Sequence, residues 1–430
     1  MAPPCNFYFN MKTQHRVVVT GLGIISPIGN DVPTFWDNLK KGVCGIEKIT
    51  EFDTSEFPAH VAAKIKDFDP LQYGMDKAFV RKQGMFTQYG VAAARQAMDD
   101  AGLKSEGEDA NIDPFRLGVY VGSGIGGFDI IYREVEKMIE DPTGRWISPL
   151  FIPSMIGNIA AGHIAIKNMA QGPCLDIVTA CATSTHCLGE AFRAISCGHA
   201  DAIITGGCEY STIPIGLAGF GNSKALSTSD DPDYASLPFN ANRGGFVMGD
   251  GGAILILESL EHALGRGAKI YSEIVGYANT CDAYHSTAPR PEGTTQAHCI
   301  RLALDEAGYD PAKDCLYINA HGTGTALNDV SETLAYKLAL GDDAYKAHIT
   351  SIKSMTGHML GAGGAAEAIA TVLSLREGII SPTINLDTPD PECDLNYTPN
   401  KAVKAPFTLG ISDSLGFGGH NACLAFRNYK

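Results

Sequence analysis

One supersecondary unit occurs twice in this chain, and that repetition restricts the fold more than any other feature. "QAMDDAGL", a linker and "LGVYVGSGIG" run from Gln96 to Gly126. "LALDEAGYD", a linker and "LYINAHGTGT" run from Leu302 to Thr325. Each is a helical pattern stopped at Ala-Gly, then a buried strand, then a glycine-rich loop. "DAIITGGCE", "YSEIVGYANT" and "NACLAF" add strands. "RVVVTGLG" (Arg16 to Gly23) reads as a buried strand ending in a glycine turn. "FTQYGVAAARQAMDDAG" is a helix ending at Gly102, "GGAILILESLEHALGRG" is strand then helix, and "TTQAHCIRLALDEAG" and "GAAEAIATVLSLREG" are helices. Alternating strands and helices predict α/β layers built from two similar halves. The halves are placed at residues 11–268 and 269–430, with 1–10 as an extension. No low-complexity linker separates them, so they share one body.

At 430 residues the chain exceeds one compact core, which agrees with two packed halves. The formal net charge of -15 argues against a nucleic-acid binder. No stretch reaches the apolar length of a membrane span, and the N-terminus lacks a signal-peptide core. The 12 cysteines are scattered, without zinc-type spacing. Reduced thiols in a cytoplasmic enzyme follow.

Gly122, Gly124 and Gly127 in "GSGIGG" satisfy GxGxxG after a strand. A dinucleotide site also wants an acidic residue at the end of the next strand. The chain there reads "EDPTGRWISP", which is turn-like. The loop is therefore a turn that lets the backbone approach another segment.

In "DIVTACATSTHCLG", "CLDIVTA" reads as a buried strand, and the residues after Cys181 have helical spacing. Cys181 thus sits on a strand-to-helix turn. Unpaired N–H groups and the positive helix end lower a thiol's pKa there and can hold an oxyanion. Cys187 is about 240° further round the helix and belongs to the core. Cys174, Cys197 and Cys208 also read as structural. A turn cysteine alone does not separate a nucleophile from a small buried residue. Its companions favour the nucleophile: His321 at the mouth of a strand, Lys353 and His358 in "SIKSMTGHMLGAGG", and Phe417 in "SLGFGGHN". Neither histidine has a ligand-type residue at i+3 or i+4, which makes a metal site a weak reading.

These motifs, "TACATSTH", "NAHGTGT", "KSMTGHMLGAGG" and "GFGGHN", resemble in order and spacing the β-ketoacyl-[acyl-carrier-protein] synthases. The likeness is greatest to the elongating branch often called synthase II. It runs from about Arg16 to Phe426. The resemblance implies the thiolase-like five-layered α-β-α-β-α fold, a homodimer, and a Cys-His-His site. Cys181 would carry the acyl chain, with the N–H groups of Cys181 and Phe417 as oxyanion hole. His321 and His358 would stabilise the malonyl enolate. Lys353 would hold the histidine network, and Phe417 would gate the pocket. Thr323 and Thr325 would bind the pantetheine arm, Glu332 would be a structural carboxylate near the site, and Ile125 and Leu415 would line the acyl pocket.

The implied partner is acyl carrier protein, acyl- and malonyl-loaded. It supplies the phosphopantetheine, so no cofactor is expected on the enzyme. Lys64, Lys66, Lys77, Arg81, Lys82, Arg145 and Lys224 are candidates for docking it. Asp413, Leu415 and His420 stand where the family often has Asn, Phe and Thr, which puts substrate shape in doubt. The implied reaction is the decarboxylative Claisen condensation of type II fatty-acid synthesis. A ketosynthase subunit of a polyketide or polyene pathway is the alternative, and a non-catalytic subunit that shapes chain length is a remote one.

Overall fold

The computed structural model describes residues 15–429. The extension placed at 1–10 lies outside them. Ten strands carry the architecture: β1 Val17–Ile25, β2 Leu117–Gly122, β3 Cys174–Leu175, β4 Ala202–Glu209, β5 Gly251–Ser259, β6 Ser272–Cys281, β7 Leu316–Asn319, β8 His348–Thr350, β9 Leu409–Gly416 and β10 His420–Arg427. Six helices accompany them: α1 Met85–Ala101, α2 Ile159–Lys167, α3 Thr183–Ser196, α4 Thr294–Glu306, α5 Ala326–Leu340 and α6 Gly363–Glu377.

The strand order is β8-β7-β9-β10-β6-β1-β5-β4-β2-β3. Read outward from the centre, the first half runs 1-5-4-2-3 and the second 6-10-9-7-8, the same order shifted by five. Pairing directions match too. β2 runs parallel to β3 and β4, and β7 parallel to β8 and β9, while β1–β5, β4–β5, β6–β10 and β9–β10 are antiparallel. The halves meet where Val17, Val18 and Val19 of β1 pair with Ile274, Glu273 and Ser272 of β6.

Helices α3 and α6 pack against strands of both halves of this sheet. α1 and α2 pack on the strands of the first half, α4 on those of the second, and α5 packs on α4. This is the expected α-β-α-β-α fold. Apolar side chains segregate accordingly. Leu188, Ala191, Ile195, Ala366 and Ile369 fill the centre, Ala93, Ala97 and Val119 the first outer layer, and Ile300, Ala303 and Ile318 the second.

Two sequence expectations need correction. The glycines of "TGLG" do not end β1; the strand runs through them. A Cβ at Gly21 would lie 2.2 Å from the Ala97 carbonyl oxygen of α1. Gly276 of β6 meets Ala303 of α4 in the same way, at 2.2 Å. Glycine is required by helix approach, not by a turn. "CLDIVTA" is likewise not a buried strand. Only Cys174 and Leu175 pair, at the sheet edge, and both are exposed. The backbone N–H of Thr179 is taken by the Thr183 hydroxyl, so the chain leaves the ladder to enter α3.

Candidate active site

Cys181 is the middle residue of a 3₁₀ turn, Ala180–Ala182, that runs straight into α3. Ala180 holds φ 52°, a left-handed conformation rare for a residue with a side chain. Gly416, at the end of β9, packs against this turn. A Cβ there would lie 2.4 Å from the Thr179 carbonyl oxygen. That close approach brings the backbone N–H of Phe417 to the Cys181 sulfur, beside the N–H of Cys181 itself. The two backbone N–H groups therefore converge on the Cys181 sulfur.

Burial pushes the Cys181 thiol up to about 12, against the opposing pull of Lys353 and the two amides. The sequence expectation of a lowered pKa is thus reversed: removal from water outweighs the helix end.

His321 follows β7, and its backbone N–H donates to Glu332 Oε1 at 2.7 Å. His358 follows the single helical turn Lys353–Thr356, and its N–H donates to the Val247 carbonyl at 2.7 Å. The two imidazoles stand edge to face with centroids 5.4 Å apart, and the Nδ1 of each has no hydrogen-bond partner. Burial, then Lys353, lowers both well below the usual histidine range, so both rings are neutral. Phe246 packs edge-on against His358 at 5.2 Å. Lys353 is buried and paired with Glu367 of α6. Burial raises Glu367 to about 7, although the ammonium opposes it.

These groups surround a cavity of about 320 Å³. Cys181, His321, His358, Thr323, Thr325, Leu415, Phe417 and Lys224 line it. The Thr323 and Thr325 hydroxyls are 3.0 Å apart. Lys353 and Glu332 are buried outside that lining: Glu332 accepts from the His321 N–H, and Lys353 opens the helical turn before His358.

Other expected residues lie elsewhere. Ile125 does not line the cavity; its side chain is exposed. The reason is Glu209, a buried carboxylate at the end of β4. It accepts from the Ser123 hydroxyl at 2.9 Å and from the N–H groups of Gly124 at 2.8 Å and Ile125 at 3.3 Å. The "GSGIGG" loop thus wraps its amides around a protein carboxylate, which explains its glycines without a nucleotide. Lys64 is not a free docking cation: it is buried and ion-paired with Glu51. Lys66 pairs with Glu47 at 3.3 Å and Arg145 with Asp141 at 2.6 Å. Lys77, Arg81 and Lys82 share the exposed helix Lys77–Lys82. Of the cysteines read as structural, Cys208 is buried, Cys197 half-buried and Cys174 exposed.

Sequence reasoning missed Glu209 and Glu367. Each is an acidic residue inside an apolar run, "DAIITGGCE" and "GAAEAIATV". Buried charges need partners, so that context was a usable sign.

Comparison with known proteins bears on the same residues. Residues 14–263 match the family described as "Beta-ketoacyl synthase, N-terminal domain", and 271–387 match "Beta-ketoacyl synthase, C-terminal domain". The chain is 48% identical over 420 residues to a 3-oxoacyl-[acyl-carrier-protein] synthase 2 of Staphylococcus aureus, covering 98% of this chain and 100% of that one. It is 47% identical over 416 residues to a Synechocystis protein of the same name, covering 96% of this chain and 98% of that one. Among solved structures, a type II polyketide ketosynthase, bound to a hexaketide and in complex with its acyl-carrier protein, superposes with a TM-score of 0.89. Its sequence identity is 34%, over 97% of this chain and 100% of that one.

Proposed function

The chain belongs to the β-ketoacyl synthase family, and from that premise we propose that it condenses an acyl chain with malonyl-acyl carrier protein, giving 3-oxoacyl-acyl carrier protein and carbon dioxide. The observation that carries this reading is one cavity lined by Cys181 and by two neutral imidazoles, His321 and His358.

The Cys181 sulfur attacks the thioester of an acyl-carrier protein, and its proton leaves with the pantetheine sulfur. The N–H groups of Cys181 and Phe417 hold the oxyanion. Malonyl-carrier protein then enters, with Thr323 and Thr325 against its pantetheine arm. Carbon dioxide leaves, and the enolate oxygen accepts hydrogen bonds from His321 and His358. Neutral rings can donate there without surrendering a full proton. The enolate carbon attacks the acyl-cysteine and expels the Cys181 thiolate, which takes up one proton. Burial, with Lys353 paired to Glu367 adding to it, lowers both histidines and keeps them neutral. Phe417 sits on the turn between β9 and β10, 6.5 Å from Phe220, as an aromatic gate that shields the carbanion from water.

The enzyme works as a cytoplasmic homodimer of two-half chains and needs no cofactor of its own. Arg81 and Lys82, with Lys77, form the patch that meets the acidic partner. Charge reversal at Arg81 and Lys82 raises KM for carrier protein and leaves kcat in place; an unmoved KM removes the patch from the reading. The polyketide alternative has weaker support, since its relative is 34% identical against 48% for the Staphylococcus aureus synthase.

Intact mass after mixing with a long-chain acyl-carrier protein tests the reading. An acyl-sized gain is expected, absent in Cys181→Ala and discharged by malonyl-carrier protein. No gain with any chain length would overturn it.

A further inference from the structure

Against the backbone of His321, two carboxylates share one phenol. Glu332 and Tyr336 lie one turn apart on α5, and Asp413 projects from β9. The Tyr336 hydroxyl is 2.8 Å from Glu332 Oε1 and 2.8 Å from Asp413 Oδ1. All three side chains are buried. A phenol has one proton to donate. It can satisfy one carboxylate only. The other contact is a hydrogen bond only if that carboxyl carries a proton and donates to the phenol oxygen. The bridge therefore holds one carboxyl proton.

Donor counts favour Asp413 for that proton. Glu332 accepts from the His321 N–H at 2.7 Å, the Gly322 N–H at 2.8 Å and Asn328 Nδ2 at 3.1 Å. Three donors favour its anion. Beside Tyr336, Asp413 accepts a side-chain hydrogen bond from Gln296 Nε2, at 3.0 Å. By those counts the chain of donors runs from the Asp413 carboxyl to the Tyr336 oxygen, and from the Tyr336 hydroxyl to Glu332.

We propose that Asp413 and Tyr336 are positioning residues for His321: one proton shared across Glu332, Tyr336 and Asp413 leaves the bridge a single negative charge, and so keeps Glu332 anchoring the backbone of the loop that carries the imidazole. The catalytic consequence rests on the condensing-enzyme reading; the proton itself does not. The charged surroundings oppose the donor counts: Asp329 raises Glu332, and Lys353 lowers Asp413, so the proton is shared across the bridge rather than fixed on Asp413. From α5, Asp329 adds negative charge beside Glu332, with Arg243 3.8 Å from it. The helical turn after β8 contributes Lys353 and α6 contributes Glu367. Cys299 of α4 and Cys423 of β10 face Asp413 as thiols raised by burial. Burial raises both carboxyls, and the Asp413 charge raises Glu332 further. With the bridge proton lost, one phenol faces two anions, and Glu332 can no longer keep all its partners.

The test uses the full-length enzyme with Asp413→Asn and Tyr336→Phe. The infrared difference between wild type and Asp413→Asn at neutral pH should show the carbonyl band of one protonated carboxyl, present only in wild type. The alkaline fall of wild-type kcat should move up by about one pH unit in Asp413→Asn, which has no bridge proton to lose. Tyr336→Phe should lower kcat about tenfold with KM for malonyl-carrier protein within about twofold. A missing infrared difference together with superimposed pH profiles would overturn the proposal, as would wild-type kcat in a folded Tyr336→Phe. Should Tyr336→Phe not fold, Asp413→Asn decides alone. A wild type without condensing activity would sink the functional reading, and the infrared band would still decide the bridge.

Discussion

Cys181 and Gly361 occupy matching places in the two halves, and the cavity opens in front of only one. Each is the middle residue of a three-residue 3₁₀ turn, Ala180–Ala182 or Leu360–Ala362, that continues into a central helix, α3 or α6. Each follows a residue held left-handed, Ala180 at φ 52° and Leu360 at φ 45°. Such a conformation costs about 1 kcal/mol or more, so the surrounding fold imposes it twice. At the first turn the side chain meets the cavity and the N–H faces its own sulfur. At the second, the N–H donates to Glu209 Oε2 at 3.1 Å, and a Cβ would lie 2.4 Å from the Gly124 nitrogen. The same turn thus directs its N–H to a cavity-lining sulfur in one half and to a resident carboxylate in the other. What stands opposite the turn decides which.

Exchanging the two residues breaks the comparison most sharply. Cys181→Gly gives the first turn the second's residue; it should fold and lose condensing activity by about 10³-fold or more. Activity within tenfold of wild type would mean another group carries the acyl chain. The reverse change, Gly361→Cys, should yield no second acylation site. It should destabilise by about 3 kcal/mol or more, because the obstructing atom is backbone and cannot move aside. A thermal midpoint equal to wild type would show that the "GSGIGG" loop yields.

A smaller effect attaches to Glu209, raised to about 7 by burial against four hydrogen-bond donors. A folded pKa above the unfolded one gives stability that is complete below about 4.5 and lost as pH rises through about 7. Glu209→Gln should flatten that slope in melting temperature while costing about 1–3 kcal/mol, since its amide nitrogen faces donors. A slope equal to wild type would remove the proton from Glu209. Leu415→Phe, on the cavity wall, should shift acyl-length preference only a few-fold toward shorter chains; an unchanged preference would place the acyl end elsewhere.

Much of this was legible in the sequence. His321, His358 and Phe417 stand in glycine-bracketed loops, and local pattern suffices to place such loops between regular elements; Cys181 was legible as the turn before a helix. The helix-strand-glycine repeat likewise announced the two halves. What failed depended on distant neighbours. Gly21 is glycine because of Ala97, and no local pattern around β1 carries that. The Cys181 pKa was misjudged because the helix end is a local feature, while removal from water is a property of the whole fold. Ile125 was placed in the pocket by likeness, yet Glu209 turns the amides of its loop inward and leaves its side chain out.

The thiol held at about 12 sets the terms for any covalent ligand. Burial disfavours its thiolate, so indiscriminate electrophiles react slowly with it. A useful warhead has to be delivered by shape, through an acyl-like tail that fits the cavity, and then stabilised by the Cys181 and Phe417 amides as its carbonyl turns tetrahedral. Selectivity over the chain's other cysteines comes from that fit and from those two N–H groups, not from intrinsic reactivity.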